Sequence, residues 1–209
     1  MKRPSLPGSS GYRLFFKESM RSLGPTASVV PSSRYLAEAL TRPIDFNRAK
    51  VIVELGPGTG PMTRAILSRM SADARLIAID INPAFIDHLH EACPDPRLVP
   101  VCGSATDLRK ILAQHGFGPA DAIVSSLGLT SMDEPLRAAI MQELEECLTP
   151  GGTMTQFQYI HAYPGHLDVQ KMRFKRFNEP RFLRNYFSVV HVGHEIRNFP
   201  PALVFTCRK

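Results

Sequence analysis

Val51-Ile52-Val53-Glu54-Leu55 runs straight into Gly56-Pro57-Gly58-Thr59-Gly60, and Asp80 follows twenty residues later. The short apolar run suits a buried parallel strand. Three glycines spaced by two suit a turn in which a ligand approaches the backbone. Pro61 then opens a helical stretch, a position where proline is tolerated. The next apolar run, Leu76-Ile77-Ala78-Ile79, ends on Asp80. A carboxylate there stands at the end of the neighbouring strand, where it can accept from two ribose hydroxyls.

The spacing is not that of a dinucleotide binder. GxGxxG requires glycine at 61, and Pro61 occupies it. A tight glycine turn plus an acid on the second strand, without the pyrophosphate loop, suits S-adenosylmethionine (SAM). The alternative is an ordinary glycine-rich turn. On the SAM reading, Glu54, Gly56, Pro57, Gly58, Thr59, Gly60, Asp80 and Ile81 line the cofactor.

Apolar runs and helical patterns alternate from there on. Strands are expected at 51–55, 75–80, 97–102 and 121–126, and helices at 61–70, 83–92, 106–114 and 133–148. Pro150-Gly151-Gly152 reads as a turn before a fifth strand, Thr153 to Ile160. Ala162 to Asn185 is mixed, part of it helix. Tyr186 to Ile196 and Ala202 to Arg208 read as a closing antiparallel pair. This order predicts an α/β fold: a Rossmann-like, mostly parallel seven-stranded sheet with helices on both faces. Arg34 to Leu40 forms a further helix, with serine before it as a plausible cap.

In such a sheet, ligands bind at the carboxyl ends of the strands. At the third end, Ser104 and Ala105 are candidates to hold an adenine through backbone contacts and the Ser104 hydroxyl; a helix cap is the other reading of Ser104. At the fourth end stands Ser125-Ser126-Leu127-Gly128, with Ser125 as a cofactor contact. Methyltransferases of exocyclic base nitrogens usually carry an amide or acid, a proline and an aromatic at this position, and all three are missing. Base methylation is therefore disfavoured. After the fifth strand, alternation sends Gln156, Gln158 and Ile160 one way and Phe157, Tyr159 and His161 the other. Tyr159 and His161 are the candidates to orient an amine and accept its proton, directly or through water; a core tyrosine with a satisfied hydroxyl and a surface histidine are the alternative. An aromatic ring there also favours a methylated cation.

The charge is unevenly spread. Up to Lys50 there are nine basic and three acidic residues, which accounts for the whole net charge of +6. A second basic cluster spans Lys171 to Arg184. Such asymmetry points to an anionic partner, either nucleic acid or a lipid surface, with solvated basic faces as the alternative. Residues 1–10 are rich in Pro, Ser and Gly and read as a disordered tail. Tyr12 to Leu23 reads as a helix with Tyr12, Phe16, Met20 and Leu23 on one face, beside Arg13, Lys17 and Arg21. It suits either an interfacial position on lipid or packing on its own domain. The 4 cysteines are far apart, without metal-binding spacing, and read as reduced thiols. No metal, no signal peptide and no membrane span are expected.

The chain resembles the bacterial phospholipid N-methyltransferase family, class I SAM-dependent enzymes related to the ribosomal RNA dimethyladenosine transferases. The residues that carry the likeness are Val30 to Arg34, Glu54 to Gly60, Asn82-Pro83, Ser125-Ser126-Leu127, Ser131-Met132, Gln156-Phe157-Gln158-Tyr159 and Arg197-Asn198-Phe199-Pro200-Pro201-Ala202. Two departures stand out: Ser104 replaces an Asp usually found there, and Ser126 and Gly128 replace a Gly and a Pro. The resemblance implies SAM as methyl donor, with S-adenosylhomocysteine as product. It implies a lipid amine as acceptor, with phosphatidylethanolamine first, giving its mono-, di- or trimethylated forms. It further implies a peripheral, cytoplasmic position on the inner face of an anionic membrane. Ser33, in the first of these motifs, joins the expected cofactor contacts. Arg197, supported by Asn198, is the candidate for the lipid phosphate; a closing strand turn is the alternative for that pair. The organisation expected is a tail at 1–10, a basic, helical, membrane-binding segment at 11–50, and a methyltransferase domain at 51–209. Nucleic acid is not an expected partner. Ornithine lipid, a small amine or RNA as acceptor, and a SAM-fold binding protein without catalysis, are the alternatives.

Overall fold

The computed structural model describes residues 33–160, 165–168, 173–176 and 178–209. The tail, the helix expected at 12–23, and His161 lie outside them. So does Lys171 of the second basic cluster.

Helix α1, Arg34–Thr41, starts where Ser33 Oγ accepts from the Leu36 N–H at 3.3 Å, and it buries Leu36, Ala37 and Leu40. Strand β1, Val51–Leu55, leads through the glycine turn to α2, Pro61–Leu67. The alternation continues with β2 (Arg75–Asp80), α3 (Pro83–Ala92), β3 (Leu98–Cys102), a 3₁₀ turn at Ala105–Asp107, α4 (Leu108–Gln114), β4 (Ala120–Ser125) and α5 (Glu134–Cys147). Next come β5 (Leu148–Tyr159), a hairpin of β6 (Gly165–Asp168) and β7 (Arg173–Arg176), α6 (Glu179–Leu183), β8 (Val189–Glu195) and β9 (Ala202–Arg208).

Seven strands form one sheet in the order β3-β2-β1-β4-β5-β9-β8. β1 to β5 are parallel, and β9 runs antiparallel to both of its neighbours. The expected fold class and the closing antiparallel pair are therefore as the sequence predicts. Two parts differ. β5 starts five residues before the expected strand and takes in Pro150-Gly151-Gly152, because Gly151 and Gly152 exchange backbone hydrogen bonds with Lys209. The mixed region holds a small separate hairpin, β6 paired with β7.

The chain winds outward from β1 to β3 and then returns to β4, so the switch point lies between β1 and β4. Each face of the sheet has its own core. Val53, Ile77, Ile79, Ile123 and Phe205 pack against α4, α5 and α6. Ile52, Leu76, Ala78 and Val124 pack against α1, α2 and α3. Among the described residues, no helix is long and apolar enough to cross a membrane.

Candidate active site

Strand register decides which side chains share a face. Glu54 pairs with Ala78 on β2 and with Val124 on β4, and Val124 pairs with Thr155 on β5. Parallel partners point the same way, and alternate residues follow them. Glu54, Asp80, Phe157 and Tyr159 therefore lie on the face covered by α1, α2 and α3. Ser125 and Gln156, which pair with each other, lie on the opposite face.

The glycine turn is left-handed at each glycine, with φ of 71° at Gly56, 54° at Gly58 and 83° at Gly60. Side chains rarely adopt such angles. A Cβ at Gly58 would meet nothing within 4 Å, so the backbone is open to a ligand there. A Cβ at Gly56 would sit 3.6 Å from the Leu127 side chain, which brings the loop after β4 over the first glycine. Pro57 is buried and Thr59 is exposed.

Asp80 closes the other side of this turn. Its Oδ1 accepts from the Asn82 N–H at 2.9 Å, and its Oδ2 accepts from the Gly58 N–H at 3.4 Å. Burial raises its pKa from the ordinary carboxylate value. Ile81 follows, half-buried, beside Cys102.

Glu54 is the anomaly of the fold. It is 0% exposed at the end of a core strand. Burial, added to by the nearby charge of Asp80, pushes its carboxyl up to about 8 against the pull of Thr63 and Arg64. Neither of its oxygens, nor the Thr63 hydroxyl, has a hydrogen bond of standard geometry. A buried carboxylate in this condition is costly unless a cation arrives beside it.

Ser104 takes the capping role. Its Oγ accepts from the Thr106 N–H at 3.3 Å and shares a 2.8 Å hydrogen bond with the Thr106 hydroxyl. Ala105 is buried behind it. Across the switch point, buried Ser125 accepts from the Leu127 N–H at 3.4 Å. Gln156, named by the sequence only as part of a motif, shapes this corner. Its Nε2 donates to the Leu127 carbonyl at 2.7 Å and to the Phe157 carbonyl at 2.9 Å, while its Oε1 is buried without a partner. A glutamine at a buried position of a core strand, beside Met154, was the signal available for it.

Tyr159 is half-buried at the carboxyl end of β5, edge-on to Phe157 with ring centroids 5.2 Å apart. Burial raises the pKa of its hydroxyl. Three strand spacings of about 4.8 Å separate its strand from that of Asp80.

Arg197 and Asn198 sit in the loop between β8 and β9. That loop meets the end of β5 where the Ile160 N–H donates to the Pro201 carbonyl at 2.8 Å. Arg197 grips Glu195 through Nε at 3.0 Å and Nη2 at 2.9 Å, and its guanidinium lies 4.6 Å from the Tyr35 ring centroid. This fork is committed to an internal carboxylate, while half of the side chain stays exposed. Asn198 is buried; it accepts from the Ser33 N–H at 3.3 Å and donates to the Pro200 carbonyl at 2.6 Å. Ser33 and Asn198 thus hold each other and the loop, a structural task for two residues expected at ligands. Among the described residues, no cluster of metal-ligating side chains occurs.

These residues fit SAM. Open backbone at Gly58 beside the Asp80 carboxylate suits a ribose, and the buried Glu54 carboxyl, without a hydrogen bond of standard geometry, suits a ligand that carries a cationic amine and a sulfonium. The Ser104–Ala105 backbone lies at the next strand end, where an adenine would extend.

A family model described as "Methyltransferase domain" matches residues 52–152. The chain is 33% identical over 186 residues to the ornithine lipid N-methyltransferase of Singulisphaera acidiphila, covering 87% of this chain and 88% of that protein. It is 38% identical over 82 residues to the ribosomal RNA small subunit methyltransferase H of Aromatoleum aromaticum, but spans only 26% of that enzyme. Among solved structures, the Burkholderia thailandensis 1,6-didemethyltoxoflavin-N1-methyltransferase, bound to its substrate and S-adenosylhomocysteine, superposes with a TM-score of 0.67. It is 21% identical, with 100% of this chain and 93% of that one covered. The N-methyltransferase NodS of Bradyrhizobium japonicum, also with S-adenosylhomocysteine, gives 0.60 at 15% identity, covering 93% and 97%.

Proposed function

Since the chain belongs to the class I SAM-dependent methyltransferases, within the family of the bacterial lipid N-methyltransferases, we propose that it methylates the amine of a membrane lipid head group. The observation that carries this reading is the extent of one likeness. Similarity to the ornithine lipid enzyme runs through 87% of the chain, well past the cofactor half. Similarity to the ribosomal RNA small subunit methyltransferases H covers 35–60% of it and at most 42% of those enzymes. Phosphatidylethanolamine, expected from the sequence, and ornithine lipid both offer a primary amine beside an anionic group on a membrane-bound body.

When bound, SAM supplies an electrophilic methyl on a sulfonium. Asp80 would hold the ribose side of the cofactor, and the Glu54 carboxyl would ionise beside its cationic end. The acceptor must arrive as a free amine, although such amines are mostly protonated near neutral pH. Tyr159 orients the nitrogen through its hydroxyl oxygen, and because burial keeps that hydroxyl protonated the amine's proton leaves to water. His161 is the second candidate for that proton, and Arg197 uses its exposed half on the lipid's anionic group. Holding the nitrogen in line with the methyl is the larger part of the catalysis.

Lipid mass spectrometry of a bacterial host that contains both phosphatidylethanolamine and ornithine lipid, and that makes this protein, tests the reading. New methylated forms of one head group identify the substrate. An unchanged lipidome in cells where the protein is folded and binds SAM overturns the lipid assignment.

A further inference from the structure

The loop between β8 and β9 is built inside out. Its amide side chain, Asn198, is 3% exposed, while Ile196 and Phe199 on either side of the Arg197-Asn198 pair are 75% and 85% exposed. Ile160, 37% exposed, is tied to the same loop through the Pro201 carbonyl. The loop is fixed by the Asn198 bonds to Ser33 and Pro200 and by the Arg197–Glu195 fork. An aromatic and a branched aliphatic side chain are therefore held out into solvent on a rigid support. Apolar groups presented in this way mark interaction surfaces.

The second observation is electrostatic. A cleft of about 520 Å³ between α1 and α2 is lined by Arg34, Arg42, Arg64 and Arg69, with Glu38 as its one acidic residue. Glu38 pairs with Arg42 at 3.7 Å, and both are well exposed, so that pair neutralises little. The cleft and the loop are continuous. The guanidiniums of Arg34 and Arg197 lie 4.8 and 4.6 Å from the centroid of the same ring, Tyr35. Both α1 and α2 begin at the carboxyl edge of the sheet, where the loop also sits.

We propose that this face docks on an anionic lipid bilayer, with the cleft arginines meeting lipid phosphates and Ile196 and Phe199 entering between the head groups. An excess of guanidinium charge beside exposed apolar side chains complements an anionic surface over an apolar interior. The proposal rests on the lipid reading and deepens it. A docked protein presents the end of β5, with Tyr159, to a head group that never leaves the membrane.

The chain has no tryptophan, so Phe199→Trp creates a single fluorescent reporter in the full-length protein. On phosphatidylcholine vesicles doped with phosphatidylglycerol, its emission should shift to the blue and be quenched by brominated acyl chains. Ile196→Ser with Phe199→Ser should weaken vesicle co-sedimentation by about tenfold or more. Arg34→Gln with Arg42→Gln should weaken it similarly, a loss that salt reproduces in the parent. SAM affinity should stay unchanged in both pairs, which verifies folding. The proposal is overturned if the reporter stays unshifted while the protein pellets, if both pairs pellet like the parent, or if emission is already blue without vesicles. That last result would mean the chain itself covers the loop. Methyl transfer to a short-chain, monomeric lipid amine separates the two readings: turnover there with a water-exposed reporter sinks docking alone, and docking without turnover on any lipid sinks the enzymatic reading alone.

Discussion

The backbone N–H of Ser33 donates to Asn198 Oδ1 at 3.3 Å, across 165 residues of chain. The contact ties the start of α1 to the loop between β8 and β9. It joins two motifs, Pro31-Ser32-Ser33-Arg34 and Arg197-Asn198-Phe199-Pro200-Pro201, that nothing in the sequence connects. Asn198→Ala removes an acceptor from Ser33 and a donor from the Pro200 carbonyl, both in a partly buried setting. A loss of about 1–3 kcal/mol is expected, read as a fall in Tm of roughly 2–4 °C per kcal/mol for a chain of this size. A Tm equal to the parent's would mean that the loop is held by other contacts.

Asp80→Ala removes a carboxylate that receives the Gly58 and Asn82 N–H groups and would accept from the ribose. Hydrogen bonds to charged acceptors contribute about 1.5–3 kcal/mol each, so SAM affinity should fall by roughly tenfold or more. Titration calorimetry reads this directly. Parent-like affinity would remove Asp80 from the ribose.

Glu54 makes the cofactor site sensitive to pH. In the ligand-free fold its carboxyl titrates at about 8, against an ordinary 4.5, because burial disfavours the charged form. A cation bound beside it favours that form. SAM affinity should therefore rise with pH up to about 8, with proton release on binding at neutral pH. Calorimetry in two buffers of different ionisation heat measures the released proton, and Glu54→Gln should abolish it. Equal apparent heats in the two buffers for the parent would contradict the assignment.

The same shift bears on stability. A raised folded pKa gives a contribution that is complete below about 4.5 and lost as pH rises through about 8. Glu179, buried at the start of α6, is also pushed up to about 8 by burial, against the opposing charge of Arg137. Tm without ligand should thus decline between about pH 4.5 and 8 and level off above that. Glu54→Gln should remove part of the decline, and adding Glu179→Gln should remove most of it. A decline as steep in the double variant as in the parent would show that other groups cause it.

Tyr159→Phe keeps the ring that packs on Phe157 and deletes the hydroxyl. Turnover should drop on the order of 10²-fold with little change in SAM affinity, the effect of losing one positioned polar group. Tyr159→Ala should be worse, with weaker retention of methylated product, because the ring goes too. Single-turnover transfer from labelled SAM across about pH 6 to 9 tests both. Parent-like rates for Tyr159→Phe at every pH would make this a packing residue and move the role to His161.

The central strands β1, β2 and β4 were legible because they are largely buried on both faces and read as short apolar runs. Glu54 stood out for the same reason, as a carboxylate in such a run. The strand start at Leu148 was not legible. Pro150-Gly151-Gly152 has the composition of a turn, and only pairing with Lys209, distant in sequence, makes it strand. Ser104 and Asn198 were visible as polar residues near strand ends. Their partners, the Thr106 hydroxyl and the Ser33 N–H, are matters of rotamer and tertiary approach, which one sequence does not encode by spacing. Gln156 was quoted without a task because its work is to hold the Leu127 carbonyl on a neighbouring loop.

β9 fills the slot between β5 and β8 although it comes after both in the chain. During synthesis, β8 has no neighbour to pair with until β9 has emerged. Until then the sheet ends at β5 with an unpaired backbone edge, and β9 completes it by insertion rather than by addition. Such a nascent chain is exposed to aggregation late in translation. Folding yield should depend more on β9 and the loop that leads into it than on anything in the cofactor half.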